Sequence, residues 1–224
     1  MPIDRQKLLD TGLMARIYST DVEHILNLSV GRSLQSAIDL SDARNLIFPY
    51  IRLVGRELDR RFDQTSTVKA LSLGGGAYSI PRYINAKWGE SHQVVVEIDR
   101  NLIDLIESVA PVSGDISVIA EDAKQYLLNS DSDDLFDFIF VDIFTEATPP
   151  DYVLTKDFYE LLMRKTCPGG LIAINIVDNE NLYSLYEHLK AASSLNTPAT
   201  VEIMSTTRSD SVRNIIIFLE RGAA

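Results

Sequence analysis

One stretch, Val68 to Asp99 (VKALSLGGGAYSIPRYINAKWGESHQVVVEID), restricts the possible folds more than any other. A short apolar run, Val68 to Leu73, is broken at Gly74-Gly75-Gly76. Ile80, Tyr83, Ile84 and Trp88 then recur at helical spacing, with Pro81 where a first helical turn tolerates it. Gly89 ends that helix, and the run Val94-Val95-Val96 stops at Glu97-Ile98-Asp99. Strand, glycine turn, helix and strand make one βαβ unit. Glycines let the main chain approach a ligand closely, and the following helix turns its free N–H groups towards the crevice. An acidic side chain ending the second strand can accept hydrogen bonds from both hydroxyls of a ribose. Glu97, directly after the valines, holds that position. The glycines do not fit the spaced fingerprint G-x-G-x-x-G, because position 79 is Ser. A nucleoside smaller than a pyrophosphate-linked dinucleotide is therefore expected.

The pattern repeats downstream. A helix is predicted from about Arg100 to Val109, a strand over Ile116–Ile119, and a short helix through Tyr126 and Leu127. Phe136 to Val141 is apolar apart from Asp137, as in a parallel strand buried on both faces. A helix from about Thr155 to Lys165 leads through Cys167-Pro168-Gly169-Gly170 into a strand over Leu171–Ile176. After a helix near Asn181–Ser193 come strands over Ala199–Ser205 and Arg213–Glu220. The gap between the last two is too short for a crossover helix, so they form an antiparallel hairpin. This predicts an α/β fold, a Rossmann-like doubly wound seven-stranded sheet of the class I methyltransferase type. The sheet is mostly parallel and closes with that hairpin. The glycines at 74–76, Glu97, Asp122 and Asp142 all fall at carboxyl ends of strands, where such sheets bind ligands.

The front of the chain reads differently. Turn signals at Val30-Gly31-Arg32 separate short strands near Arg16–Ser19, Glu23–Val30 and Gln35–Ile38. Residues 1–40 are thus expected to form a small N-terminal β segment, and 41–224 the nucleoside-binding unit. A helix is predicted from Ser41 as N-cap, with Leu46, Ile47, Tyr50, Ile51, Val54 and Leu58 inward and Arg52, Arg56, Arg60 and Arg61 in solvent.

Composition removes several function classes. The formal charge is −11, so the chain repels phosphate backbones and is not expected to bind nucleic acid. No apolar run approaches the roughly 20 residues of a membrane span, and the first residues lack a signal-peptide core. Cys167 is the only cysteine, which suits a reducing cytoplasm. His24, His92 and His188 lie without ligand-like spacing, so no metal site is expected.

Gln35-Ser36, LSLGGGAYSIPRYI, VVVEID, EDA at 121–123, FDFIFVDIF, LTKDFYELL and CPGGLIAIN occur in order from about Gly31 to the last strand. Together they resemble the spermidine synthases (polyamine aminopropyltransferases) and their relatives. The resemblance implies aminopropyl transfer from decarboxylated S-adenosylmethionine to a polyamine-type amine, with methylthioadenosine as product and no metal. It implies that Gln35 contacts the nucleoside, Glu97 the ribose hydroxyls and Asp122 the adenine amino group, with Ala123 beside it. It puts Asp142 in the place of the catalytic acid residue, as general base, and it implies a homodimer.

The departures concern the amine half of the site. Active synthases usually continue the glycine run with Asp-Gly, and here Ala77-Tyr78 follow. The second carboxylate, three residues past the catalytic Asp, is Thr145, with Glu146 next to it. The family's Tyr-His-Glu segment has no clear counterpart in NLIFPY, Asn45 to Tyr50. Tyr78 and Glu146 are the available substitutes for holding an amine. Two alternatives stay open: methyl transfer from S-adenosylmethionine itself, and nucleoside binding without turnover.

Overall fold

The computed structural model describes residues 2–112, 114–131, 133–144, 149–178, 182–206 and 213–222, arranged around two sheets. Strands β1 (Asp4–Leu8), β2 (Met14–Ser19), β3 (Ile25–Val30) and β4 (Ser33–Asp39) form an antiparallel sheet in chain order. The second sheet comprises β5 (Lys69–Leu73), β6 (His92–Glu97), β7 (Ile116–Ala120), β8 (Phe136–Val141), β9 (Thr166–Asp178), β10 (Ala199–Ser205) and β11 (Arg213–Arg221). Its order is β10-β11-β9-β8-β5-β6-β7. Strand β11 runs against both β9 and β10, and the remaining neighbours pair in parallel. The seven-stranded, mostly parallel sheet with a closing antiparallel hairpin is thus present as expected.

Burial on both faces explains the apolar runs. Along β8, Ile139 and Val141 pack with Tyr126 and Leu127 of α4 (Ala123–Asn129) and Phe158 and Leu162 of α5 (Lys156–Lys165). The alternate residues, Phe138 and Phe140, pack with Val54 and Leu58 of α1 (Pro49–Arg61) and Ile84 of α2 (Ser79–Lys87). Each such side chain contributes roughly 1.5–3 kcal/mol on leaving water. The one polar residue of that strand, Asp137, accepts a hydrogen bond from the Lys69 backbone N–H at 2.9 Å. Asp137 thus ties β8 to the start of β5. A helix α6 (Tyr183–Ser193) completes the α5 face. Among the described residues no helix is long and apolar enough to cross a membrane.

The four-stranded sheet packs onto the larger unit. Ala15, Ile17, Leu26 and Leu28 form a third apolar cluster with Val95 and with Leu102, Leu105 and Ile106 of α3 (Arg100–Glu107). This fixes the small sheet over the carboxyl ends of β5 and β6.

Four local expectations are corrected. The N-terminal sheet has an additional strand, β1, whose alternating charged and polar residues gave no apolar signal. The helix expected from Ser41 starts at Pro49 instead. The Asp39 carboxylate accepts from Ser41 N at 2.8 Å, Ser41 Oγ at 2.6 Å and Asn45 Nδ2 at 2.8 Å. That local network holds residues 41–45 in a turn, and such side-chain bonding competes with helix formation. Strand β9 begins at Thr166, because Thr166 pairs with Phe136 and Leu171 with Phe138, leaving 167–170 as a bulge within the strand. Arg52, Arg56 and Arg60 face solvent, whereas the Arg61 guanidinium is largely covered and bonds the Gly169 carbonyl and Glu220.

Candidate active site

Strand β5 lies between β6 on one side and β8 on the other, so the chain's winding direction reverses there. In open α/β sheets this switch point opens a crevice beyond the strands' carboxyl ends. Gly74 and Asp142 leave β5 and β8 side by side, and the Asp142 N–H donates to the Leu73 carbonyl at 2.9 Å. The fit leaves no room for a side chain at 74. Its φ is +93°, and a Cβ there would lie 2.2 Å from the Asp142 carbonyl oxygen.

The next residues build one wall of that crevice. The Gly75 N–H donates to Glu97 Oε2 at 2.8 Å, and the Asp99 N–H donates to Oε1 at 3.0 Å. Each Glu97 oxygen keeps lone-pair capacity for a further donor. Burial pushes the Glu97 carboxyl up, and the backbone donors partly oppose that. Asp122 caps α4 by accepting from Gln125 N at 3.0 Å. The Tyr152 hydroxyl also meets the Asp122 carboxylate, and burial with that neighbour pushes the phenol up to about 12.

Asp142 is held by two neutral donors. Tyr50 Oη donates to Oδ2 at 3.0 Å, and Asn175 Nδ2 donates to Oδ1 at 2.7 Å. Asn175 Oδ1 in turn accepts from Asn214 Nδ2 at 3.0 Å, which fixes the amide's orientation. Burial pushes the Asp142 carboxyl above the ordinary range, with the two hydrogen bonds acting against it. A buried carboxylate with a raised pKa, held by neutral donors at a cavity wall, is suited to accept a proton.

Gln35, Gly74, Gly75, Gly76, Glu97, Asp122, Ala123 and Asp142 all line one cavity of about 180 Å³. The structure therefore brings together every sequence-expected nucleoside residue, and Asp142 as well. A second, much smaller cavity lies behind the glycine turn, between Asp142, Tyr50, Ser36 and Ser79. Tyr78 is corrected. It is fully buried in the third apolar cluster and lines neither cavity, with φ of 59° and the Arg82 guanidinium 5.8 Å from its ring centroid. A large ring at that turn is drawn into the core by apolar burial. Ala77 is buried in the same cluster. Thr145 and Glu146 lie outside the described residues. Among the described residues no group of three or more His, Cys, Asp or Glu side chains could hold a metal ion.

Sequence reading missed Tyr50, which it placed on the inward apolar face of its helix. It also missed Asn175, although an amide inside the run Leu171–Val177 was a readable signal. Leu9, Thr11 and Leu13, also on the cavity wall, offered no signal of their own.

Comparison with known proteins agrees with this geometry. The spermine/spermidine synthase domain model matches residues 61–216. A probable polyamine aminopropyl transferase of Bifidobacterium longum is 26% identical over 114 residues, which cover 51% of this chain and 25% of that protein. The polyamine aminopropyltransferase of Vibrio vulnificus is 26% identical over 145 residues, covering 62% of this chain and 47% of that one. The chain thus matches between a quarter and about half the length of these curated relatives. In fold, it is similar to the crystal structure of a probable spermidine synthase from Corynebacterium glutamicum. The TM-score is 0.83 at 23% identity, with 98% of this chain and 81% of that one covered.

Proposed function

The chain belongs to the spermine/spermidine synthase family, and from that premise we propose that it transfers an aminopropyl group from decarboxylated S-adenosylmethionine to an amine. The single observation that carries the reading is the Asp142 carboxylate. It is buried, held by Tyr50 and Asn175, and set on the wall of a cavity that also contains Glu97 and Asp122.

The chemistry is an in-line displacement. The amine nitrogen's lone pair attacks the aminopropyl carbon attached to sulfonium, and the carbon–sulfur pair returns to sulfur as methylthioadenosine leaves. The nitrogen gives up a proton to Asp142, which therefore has to be ionised beforehand. Glu97 is assigned to the ribose hydroxyls, Asp122 to the adenine amino group beside Ala123, and Gln35, which lines the same cavity, to the nucleoside. Holding donor and amine at the correct distance lowers the entropic part of the barrier.

A second reading has one observation in its favour. Ala77, where the family carries a carboxylate for the aminopropyl end, is buried in the third apolar cluster and brings no charge of its own. With no carboxylate at 77, S-adenosylmethionine itself as a methyl donor, or nucleoside binding without turnover, is the second reading. Calorimetry with methylthioadenosine, S-adenosylmethionine and its decarboxylated form, alongside an assay of transfer to putrescine and longer amines, separates the three. Preference for the decarboxylated donor with amine product supports aminopropyl transfer; tighter binding of S-adenosylmethionine without amine product rejects it. In the same titration, Glu97→Ala should weaken methylthioadenosine by about 1.5–3 kcal/mol, the worth of charge-assisted bonds. Unchanged affinity would remove Glu97 from the ribose.

The assembly proposed is a homodimer in the cytoplasm. Exposed Leu8 and Met14 are cross-strand partners on the open face of the N-terminal sheet, whose outer strands β1 and β4 are edge strands among the described residues. Sedimentation at micromolar concentration should give twice the 25.0 kDa chain mass. A single monomeric species would reject the dimer.

A further inference from the structure

The hairpin joining β1 to β2 faces the same cavity as Glu97. Leu9, Thr11 and Leu13 lie on the wall of the cavity that Gly74, Gly75, Gly76 and Glu97 also line. The turn is tight: Leu9 N–H donates to Leu13 O at 2.8 Å, and Gly12 N–H donates to Leu9 O at 2.9 Å. Nothing within the hairpin requires it to sit over the cavity. What holds it there is α3: Leu9 is buried in the third apolar cluster with Leu102 and Leu105, and polar bonds to the helix's first turn add to that packing.

The clasp is polar and two-sided. The Asp10 backbone N–H donates to Asp99 Oδ2 at 2.7 Å, and Asn101 Nδ2 donates back to Asp10 Oδ1 at 2.8 Å. A third tie, Lys7 Nζ to Asp104 Oδ2 at 2.7 Å, is solvent-exposed and worth little. Asp99 itself is buried and has three duties on one side chain. Oδ1 caps α3 by accepting from Asn101 N at 2.9 Å and Leu102 N at 3.1 Å, while Oδ2 holds the hairpin. Its own N–H is the donor that orients Glu97 Oε1. The three-residue segment Glu97-Ile98-Asp99 therefore links the ribose-facing carboxylate to the roof over it.

We infer that the β1–β2 hairpin tip, Leu9 to Leu13, is part of the nucleoside-binding site, and that Asp99 is the positioning residue that clamps it over a bound adenine nucleoside. Asp99 acts through the hairpin and Glu97 rather than by touching the ligand. The inference rests on the nucleoside reading of the cavity. Its chemistry is enclosure: Leu9 and Leu13 supply apolar cover, which removes water from around the carboxylate–hydroxyl bonds and strengthens them.

Asp99→Asn isolates the clasp. The amide oxygen can still cap α3, but its NH2 group cannot accept from Asp10 N–H. Methylthioadenosine titrated calorimetrically into wild type, Asp99→Asn and Asn101→Ala is the probe, with hydrogen exchange of the Leu9–Leu13 backbone followed with and without ligand. The expected result is an affinity about ten-fold weaker in Asp99→Asn and a smaller loss in Asn101→Ala. In wild type the ligand should slow exchange of the hairpin amides, and that protection should fall in Asp99→Asn. A merely structural cap would leave ligand protection of the hairpin unchanged. The half-buried Asn101 provides the second variant should Asp99→Asn fold poorly. Wild type that binds methylthioadenosine with no hairpin protection, or with equal affinity in both variants, overturns the clasp alone. Wild type that does not bind it at all overturns the nucleoside reading and the clasp with it.

Discussion

Asp142→Asn should slow aminopropyl transfer by roughly 10²–10⁴-fold, the usual contribution of a positioned general base, and at the same time make the protein more stable at neutral pH. Both effects come from one buried carboxyl. Its folded-state pKa is pushed above the unfolded value by burial. Between those two values the folded chain holds more protons than the unfolded one, so stability falls as pH rises through the window. Above the folded value the full cost of a buried charge persists, and asparagine removes it. The amide keeps the site's bonds, because its oxygen accepts from Asn175 and its NH2 donates to the Tyr50 hydroxyl, which can turn to accept. Thermal melts at about pH 3 and pH 8 test the sign. The variant should gain at the higher pH and show little gain below the unfolded carboxyl value. In wild type, activity should rise with pH through the raised Asp142 pKa as the base ionises. A variant retaining transfer within tenfold, or melting lower than wild type at pH 8, would show that Asp142 is not a base in this environment.

Gly74→Ala should be the most damaging small substitution in the molecule. The added methyl would overlap the Asp142 carbonyl oxygen at 2.2 Å and its carbon at 2.8 Å, and φ at 74 is +93°. A left-handed non-glycine residue costs roughly 1–2 kcal/mol, and forced overlap in a packed site roughly 1–3 more. The obstacle is backbone, so no rotamer change relieves it; β5 and β8 have to move apart where they carry the site. The matched control is Gly169→Ala. It has φ of +76° and nothing within 4 Å of the added Cβ, so it carries the conformational cost alone. Urea midpoints of the two variants then separate strain from collision. Equal destabilisation would mean that the close approach of the two strand ends is not what requires glycine at 74.

A site built this way trades stability for chemistry. Glu97 and Asp142 are both carboxyls raised by burial, and both sit at strand ends where the apolar sheet gives way to the cavity. The fold tolerates them through neutral and backbone donors rather than cations: Gly75 and Asp99 N–H for one, Tyr50 and Asn175 for the other. A cation paired to either would lower its pKa and occupy the lone pairs a ligand needs. Neutral donors orient the carboxylates and leave that capacity free.

The sequence by itself determined the sheet, the glycine turn and the acidic residues at strand ends. Phe136–Val141 and Ala199–Ser205 are strands with the bounds read from sequence, because side-chain periodicity and turn residues act within a few positions. Glu97, Asp122 and Asp142 were legible for the same reason, as Glu97 and Asp142 follow directly on apolar runs and Asp122 lies just past the strand Ile116–Ala120, after Glu121. Tertiary structure decided what depends on distance along the chain. Tyr50 reaches Asp142 across 92 positions and Asp10 reaches Asp99 across 89. Neither pairing leaves a local trace. Tyr78 stood beside the glycines in sequence, yet the apolar cluster beneath the N-terminal sheet took its ring. Asp39 overrode a plausible helix start at Ser41 by gathering the local donors to itself. Short-range periodicity set the strands and helices and placed one row of acids at their ends. Which side chains support those acids, and which hairpin covers them, followed only from packing the N-terminal sheet onto α3, where burial and hydrogen bonding between remote residues outweigh local preference.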